Sequence, residues 1–284
     1  MLLIPGSQGL LAVKLSRLTG FKLGYAQLEK LPNGEKYIRV SGEITGDVVI
    51  VNSLAHNPDE MIMESLFLAE TLKEYGAKRV FAVFPYLPYS RERAIRGEAF
   101  PIKAIAKIFS CLDRMYVVDF HLEDMIPEFP FEVVNLTAME ELAKYAENFD
   151  VKDPVVIAPD EEALRWASIV AEKLGIDCYY MKKIRVDAEN VIIESAPHEA
   201  QGKDIIIVDD MIATGSTVVQ AIKVLKRIGC GKIYVLCTHP VLAADALRRI
   251  FENGAEEVIG TDTVPSPISY VSVAPIIAKA LVES

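Results

Sequence analysis

The sequence has no uninterrupted apolar run long enough to span a bilayer and no charged-then-apolar leader, so membrane insertion and export are not expected. Its four cysteines, Cys111, Cys178, Cys230 and Cys237, are not grouped at metal-ligand spacing, and each lies in an apolar or strand-like stretch. They read as reduced core residues, which excludes a disulfide scaffold or a cysteine-zinc module. Positive charge is also scarce, because 30 Lys and Arg stand against 40 Asp and Glu for a net charge of -10. A protein that coats nucleic acid needs the opposite balance, since that affinity comes mainly from cations neutralising phosphates. Small anionic substrates remain compatible, because a local cationic pocket can sit on an acidic surface. A cytoplasmic protein is expected.

What is present is ample apolar material, 51% of 284 residues, which suffices for two domains of ordinary size. Short β-branched runs alternate with longer stretches of helical period, the pattern of a mostly parallel sheet flanked by helices. Strands are predicted at 48–52, 80–84, 115–119, 155–158, 205–209 and 233–238. Helices are predicted at 59–75, with Ile62, Leu66, Ala69 and Leu72 on one face, and at 216–228, with Val219, Ile222 and Leu225. The run Val48-Val49-Ile50-Val51-Asn52-Ser53 and the glycine-led strand after the next helix, Gly76-Ala77-Lys78-Arg79-Val80-Phe81, are echoed later. The echo is Ile205-Ile206-Ile207-Val208-Asp209-Asp210 and then Gly229-Cys230-Gly231-Lys232-Ile233-Tyr234. So long a repeat implies duplicated domains, not a solenoid. A boundary is predicted in the polar stretch 147–153 ahead of Pro154, giving domains 1–147 and 148–284, with the last helix a candidate to return to the first.

The sharpest local signal is the stretch 205–217, a buried strand ending in Asp209 and Asp210, then Met211-Ile212-Ala213-Thr214-Gly215-Ser216-Thr217 opening a helix. Gly215 lets the backbone approach a phosphate, the amides at the helix start carry the positive end of the dipole, and Thr214, Ser216 and Thr217 add hydroxyl donors. Two carboxylates at the strand end suit the vicinal hydroxyls of a ribose. No Gly-Lys-Ser/Thr follows the glycine, so this is not a Walker A loop. The bland alternative is an ordinary strand-to-helix turn with a Ser/Thr cap.

Other segments carry weaker signals individually. Leu31-Pro32-Asn33-Gly34-Glu35 suffices as a turn joining two strands. Phe84-Pro85-Tyr86-Leu87-Pro88-Tyr89-Ser90-Arg91-Glu92-Arg93 ends in guanidinium groups suited to paired oxyanion contacts, or in a solvated charged loop. His121 follows a buried strand in Val117-Val118-Asp119-Phe120-His121-Leu122-Glu123-Asp124, where a structural histidine is the ordinary reading. Asp160 ends the strand in Ala158-Pro159-Asp160. Met181-Lys182-Lys183-Ile184-Arg185-Val186 is, on its own, a basic strand end.

Taken in order, these segments resemble those of the ribose-phosphate pyrophosphokinases, and 205–217 resembles the phosphoribosyl motif shared by that family and the type I phosphoribosyltransferases. The resemblance implies an α/β fold of two tandem type I phosphoribosyltransferase-like domains, the first serving ATP and the second ribose 5-phosphate. It implies transfer of the β,γ-diphosphate of ATP to the 1-hydroxyl of ribose 5-phosphate. By the same resemblance Asn33, Gly34, Glu35, Arg91, Glu92, Arg93 and His121 bind ATP, and His121 with Asp160 binds Mg²⁺. Arg185, Asp209, Asp210, Ala213, Thr214, Gly215, Ser216 and Thr217 bind ribose 5-phosphate, while Lys183 and Arg185 are catalytic, with Lys182 the competitor if the register differs by one. A homo-oligomer built from dimers is implied, because the family's 31–35 turn reaches ATP across a subunit interface. The sequence departs from the family at Leu31, in a shortened arginine segment with Glu92 for Gln, at Glu161-Glu162 and at Ala213. The alternatives are a nucleobase phosphoribosyltransferase and a non-catalytic regulatory homologue.

Overall fold

The computed structural model describes residues 1–91, 97–185 and 191–284. They divide into two compact units, residues 1–137 with 273–284 and residues 138–272.

The first unit runs β1 (Leu2–Pro5), α1 (Leu11–Thr19), β2 (Lys22–Leu23), β3 (Tyr25–Lys30), β4 (Lys36–Ser41), β5 (Gly46–Val51), α2 (Pro58–Glu74), β6 (Ala77–Val83), α3 (Pro101–Ile108), β7 (Arg114–Val118) and β8 (Glu132–Leu136). Its sheet is parallel throughout, in the order β2-β1-β5-β6-β7-β8. Val48 to Val51 and Val80 to Val83 are buried without alternation, because helices cover both faces of a parallel sheet and leave no solvent side for polar residues. The pair β3–β4 stands outside this sheet as an antiparallel hairpin.

The second unit runs α4 (Met139–Ala146), β9 (Val155–Ala158), α5 (Leu164–Leu174), β10 (Cys178–Tyr180), β11 (Lys182–Arg185), β12 (Val191–Ser195), β13 (Ile205–Met211), α6 (Ser216–Arg227), β14 (Ile233–His239), α7 (Ala246–Glu252), β15 (Glu257–Thr261) and β16 (Ser269–Val271). The parallel order is β10-β9-β13-β14-β15-β16, with β11–β12 again an antiparallel hairpin outside the sheet. Val155, Ile157, Ile205 and Ile207 pack with α6 on one face, while Val156, Ala158, Ile206 and Val208 pack with α4 and α5 on the other, as the two-residue period of a strand requires. The echo in the sequence is thus a repeat of topology. Strand for strand the two sheets have the same order, and each carries a hairpin between its second and third sheet strands.

Two expectations are corrected. The division falls at Thr137/Ala138, before the polar stretch 147–153, because α4 buries Met139, Leu142, Ala143 and Ala146 against Trp166 and Val170 of the second unit. Of the four cysteines only Cys237 is fully buried, the other three being half-buried, and none is paired. The last helix, α8 (Ala274–Val282), groups with the first unit and packs on α1.

Candidate active site

In the second unit β9 and β13 are neighbours whose onward connections leave in opposite directions, toward β10 and β14. At such a switch point the helices diverge and open a crevice beyond the carboxyl ends of the strands, the usual place for a ligand in an open α/β sheet. Asp160 follows β9, and Asp209 and Asp210 lie near the carboxyl end of β13, so one end of one sheet brings together three acids. Asp209 is half-buried and its Oδ1 accepts the Asp210 amide at 3.0 Å. Asp210 is buried. Beside Asp209 on the neighbouring strand β14 lies Cys237, whose thiol is pushed well above its ordinary pKa by burial first and by the two carboxylates next.

The turn into α6 is built as a cradle. Gly215 is the residue preceding the helix and has φ 73° and ψ 3°, a left-handed conformation that a glycine adopts without cost. Gly215 has no side chain to cap the first turn of α6, and the Ser216 amide makes only a long bond of 3.5 Å to Thr214 Oγ1, so an anion can compete for the helix start. The hydroxyls of Thr214 and Ser216 lie 3.2 Å apart, with Thr214 exposed and Ser216 and Thr217 half-buried. Ala213 is half-buried, and its carbonyl accepts the Ala243 amide at 3.0 Å. Sequence reasoning missed this second wall. The segment after β14 also donates Leu242 N–H to Ile212 O at 2.9 Å, and Arg249 Nη1 lies 3.5 Å from Thr214 O. Its signal was weak, because Leu242 and Ala244 adopt positive φ without being glycine.

Asp160 turns back to accept the Ala163 amide on Oδ1 at 2.8 Å, which fixes its carboxylate at the end of β9. Lys183 and Arg185 lie on β11 opposite Ile193 and Val191, after an irregularity between Lys182 and Lys183, where Lys182 faces Ser195.

In the first unit the turn between β3 and β4 closes through Gly34 N–H to Leu31 O and Leu31 N–H to Glu35 O, each 2.8 Å. At its exposed tip Asn33 Nδ2 donates to Glu35 Oε2 at 2.9 Å. Arg91 is exposed after β6. Glu92 and Arg93 lie outside the described residues. His121 is half-buried in the loop after β7, behind a buried Asp119 with φ 43° and a Phe120 amide bonded to Asn135 Oδ1 at 3.0 Å.

The second unit therefore assembles Asp160, Asp209, Asp210 and residues 213–217 at one end of one sheet. Asn33 to Glu35, Arg91 and His121 belong to the first unit. Among the described residues no three His, Cys, Asp or Glu side chains group as a metal centre. No helix among them is long and apolar enough to cross a membrane.

Fold and site together define a phosphoribosyl-handling α/β protein made of two copies of one unit, and residues 135–255 match the family model described as phosphoribosyl transferase domain. Residues 1–112 match the model described as the N-terminal domain of ribose phosphate pyrophosphokinase. A ribose-phosphate pyrophosphokinase of Archaeoglobus fulgidus is 45% identical over 285 residues, covering 99% of both chains. That of Methanothermobacter thermautotrophicus is 40% identical over 275 residues, covering 95% of this chain and 96% of its own. The crystal structure of phosphoribosylpyrophosphate synthetase from Mycobacterium smegmatis superposes with TM-score 0.88 at 28% identity, covering 99% of this chain and 97% of its own. The chain belongs to the ribose-phosphate pyrophosphokinase family.

Proposed function

We propose that the protein makes 5-phospho-α-D-ribose 1-diphosphate and AMP from ribose 5-phosphate and ATP. The observation that carries this reading is family membership over the full chain, together with a glycine-led, hydroxyl-lined helix start at Thr214 to Thr217 beside Asp209 and Asp210. The 1-hydroxyl of the sugar attacks the β-phosphorus of ATP in line. The bond from the α-phosphate's bridging oxygen to the β-phosphorus breaks, AMP leaves with that oxygen, and the hydroxyl proton passes to solvent. Such a transfer depends on positioning and charge neutralisation more than on covalent chemistry.

The amides and hydroxyls of 213–217 hold the 5-phosphate, and Asp209 and Asp210 take the ring hydroxyls. Asn33, Gly34, Glu35, Arg91, Glu92, Arg93 and His121 take the nucleotide. Lys183 and Arg185 neutralise charge growing on the bridging oxygen, Arg185 also reaching the sugar phosphate. Mg²⁺ is the metal, and when bound it neutralises the phosphates of ATP. A carboxylate oxygen of Asp160 is the hard ligand this ion prefers, and His121 completes the protein's share. So small a donor set suits an ion that keeps waters and substrate phosphates as its other ligands.

The enzyme is further read as a cytoplasmic homo-oligomer built from dimers, supported by the resemblance of 31–35 to a turn that reaches ATP across an interface. The alternatives are disfavoured: a nucleobase phosphoribosyltransferase has no need of an ATP-serving first unit, and a regulatory homologue has no need of Lys183 and Arg185. The test is to incubate the purified protein with MgATP and ribose 5-phosphate. AMP must appear in step with a new phosphorylated sugar; AMP formed without that sugar, or no AMP at all, rejects the reaction.

A further inference from the structure

Glu64 lies in the second turn of α2, and its carboxylate is fully buried, with 0% of its side chain exposed. Such a charge persists only if its oxygens are satisfied and a counter-charge is near. Both conditions are met, by groups from three separate elements. Oε1 accepts the Ser7 amide at 2.7 Å and Asn52 Nδ2 at 3.3 Å, while Oε2 accepts Ser7 Oγ at 2.5 Å and Lys36 Nζ at 2.7 Å. Ser7 belongs to the loop after β1, Asn52 directly follows β5, and Lys36 opens β4 directly after the Asn33 to Glu35 turn.

One helical turn earlier Glu60 repeats the arrangement from the surface side. It binds Lys36 at 2.9 Å and Lys30, the last residue of β3, at 3.2 Å. Both roots of the hairpin turn are thus tied to α2. Burial pulls the Lys36 pKa down, but its bonds to Glu64 and Glu60 outweigh this and leave it raised, so the clamp stays charged. At the adjoining Asp59 the helix takes a third tie, the hydroxyl of Tyr89. Tyr89 sits two residues before Arg91 with φ 63°, a left-handed conformation unfavourable for a tyrosine, which the surrounding contacts must hold.

We infer that the acidic first half of α2, through Asp59, Glu60 and Glu64, is a positioning hub that fixes the hairpin turn 31–35 and the segment leading to Arg91 in one geometry for the nucleotide. The mechanism gives these acids no contact with substrate, and a lone acid on an amphipathic helix would ordinarily stay in water. Three in two turns, one buried at Glu64, one half-buried at Glu60 and one exposed at Asp59, each engage a segment that leads to a nucleotide residue. The inference rests on the reading that 31–35 and Arg91 contact ATP.

Five variants separate the two readings. Tyr89→Phe removes one hydroxyl at a surface-accessible tie and leaves the fold's core untouched; Lys36→Met removes the clamp cation, and Lys36→Arg keeps it. Asn33→Ala strikes the turn itself. Expected for Tyr89→Phe and Lys36→Met is an increase of about tenfold in KM for ATP, from displaced contact groups. KM for ribose 5-phosphate and kcat at saturating ATP should stay within about twofold of the parent, and Lys36→Arg should keep the parent KM for ATP. A purely structural role would instead lower the unfolding midpoint and leave the KM values of the folded fraction alone. The hub is rejected if Asn33→Ala raises KM for ATP while Tyr89→Phe and Lys36→Met do not. If Asn33→Ala and Arg91→Ala both leave it unchanged, the nucleotide reading itself fails, and the hub with it.

Discussion

Gly215 and Ile250 pack so closely that a Cβ placed on the glycine would lie 3.2 Å from Ile250 Cδ1, with Ala246 Cβ at 3.3 Å. The cradle is therefore pinned from behind by α7, at a residue whose left-handed backbone already disfavours a side chain. Gly215→Ala is expected to cost about 1 kcal/mol from backbone conformation alone. Gly215→Val, with more atoms to place against Ile250, should also tilt the amides of α6. Its KM for ribose 5-phosphate should rise by more than about tenfold with little change for ATP. Steady-state kinetics with each substrate varied in turn, beside a thermal melt, measure both effects.

Asp210→Ala should weaken ribose 5-phosphate binding far more than ATP binding, because the residue lies at the end of β13 beside the cradle. Calorimetric titration of each substrate reads this directly. Equal losses for both would mean that the buried carboxylate serves the fold and not the sugar.

Lys183→Ala should lower turnover by roughly two to three orders of magnitude, the scale for removing one group aimed at developing charge. ATP binding should survive. Equilibrium titration with nucleotide, set against single-turnover rates, separates the two. An alanine variant of ordinary activity removes Lys183 and passes the role to Lys182.

All four thiols are held above their ordinary pKa, with burial the first cause in each case. For Cys111, where Glu70 adds to burial, the value is about 11. A raised pKa means less thiolate below it, so at pH 8 Cys111 should carry only about one part in a thousand in the reactive form. Alkylation at that pH, followed by peptide mass spectrometry, should be slow everywhere and absent at Cys237 until denaturant is added. Rapid native labelling of Cys237 would mean that β14, beside Asp209, opens to solvent.

Much of this architecture was legible in the sequence because its signals are local. The strand over 155–158 is found at Val155–Ala158, and the helix over 59–75 at Pro58–Glu74, since uninterrupted β-branched runs and an apolar face at helical spacing each leave one stable solution. Residues 205–217 read as strand, acids, cradle and helix for the same reason: every part is contiguous. The hairpin turn at 31–35 was equally plain, but not that β3–β4 stands outside the main sheet. Glu64 was illegible. Its partners Ser7, Lys36 and Asn52 are 57, 28 and 12 residues distant in the chain, and an acid within an amphipathic helix looks solvated until those elements close on it.

The sequence alone determined the repeated strand-helix alternation, the phosphate-cradling turn and the order of family motifs, because each is written in residues adjacent along the chain. Only the tertiary structure decided that α4 joins the second unit, that α8 returns to the first, and that one helix's acids hold two distant segments. Those outcomes depend on which surfaces bury each other and which charges lose their water, and no local pattern records either.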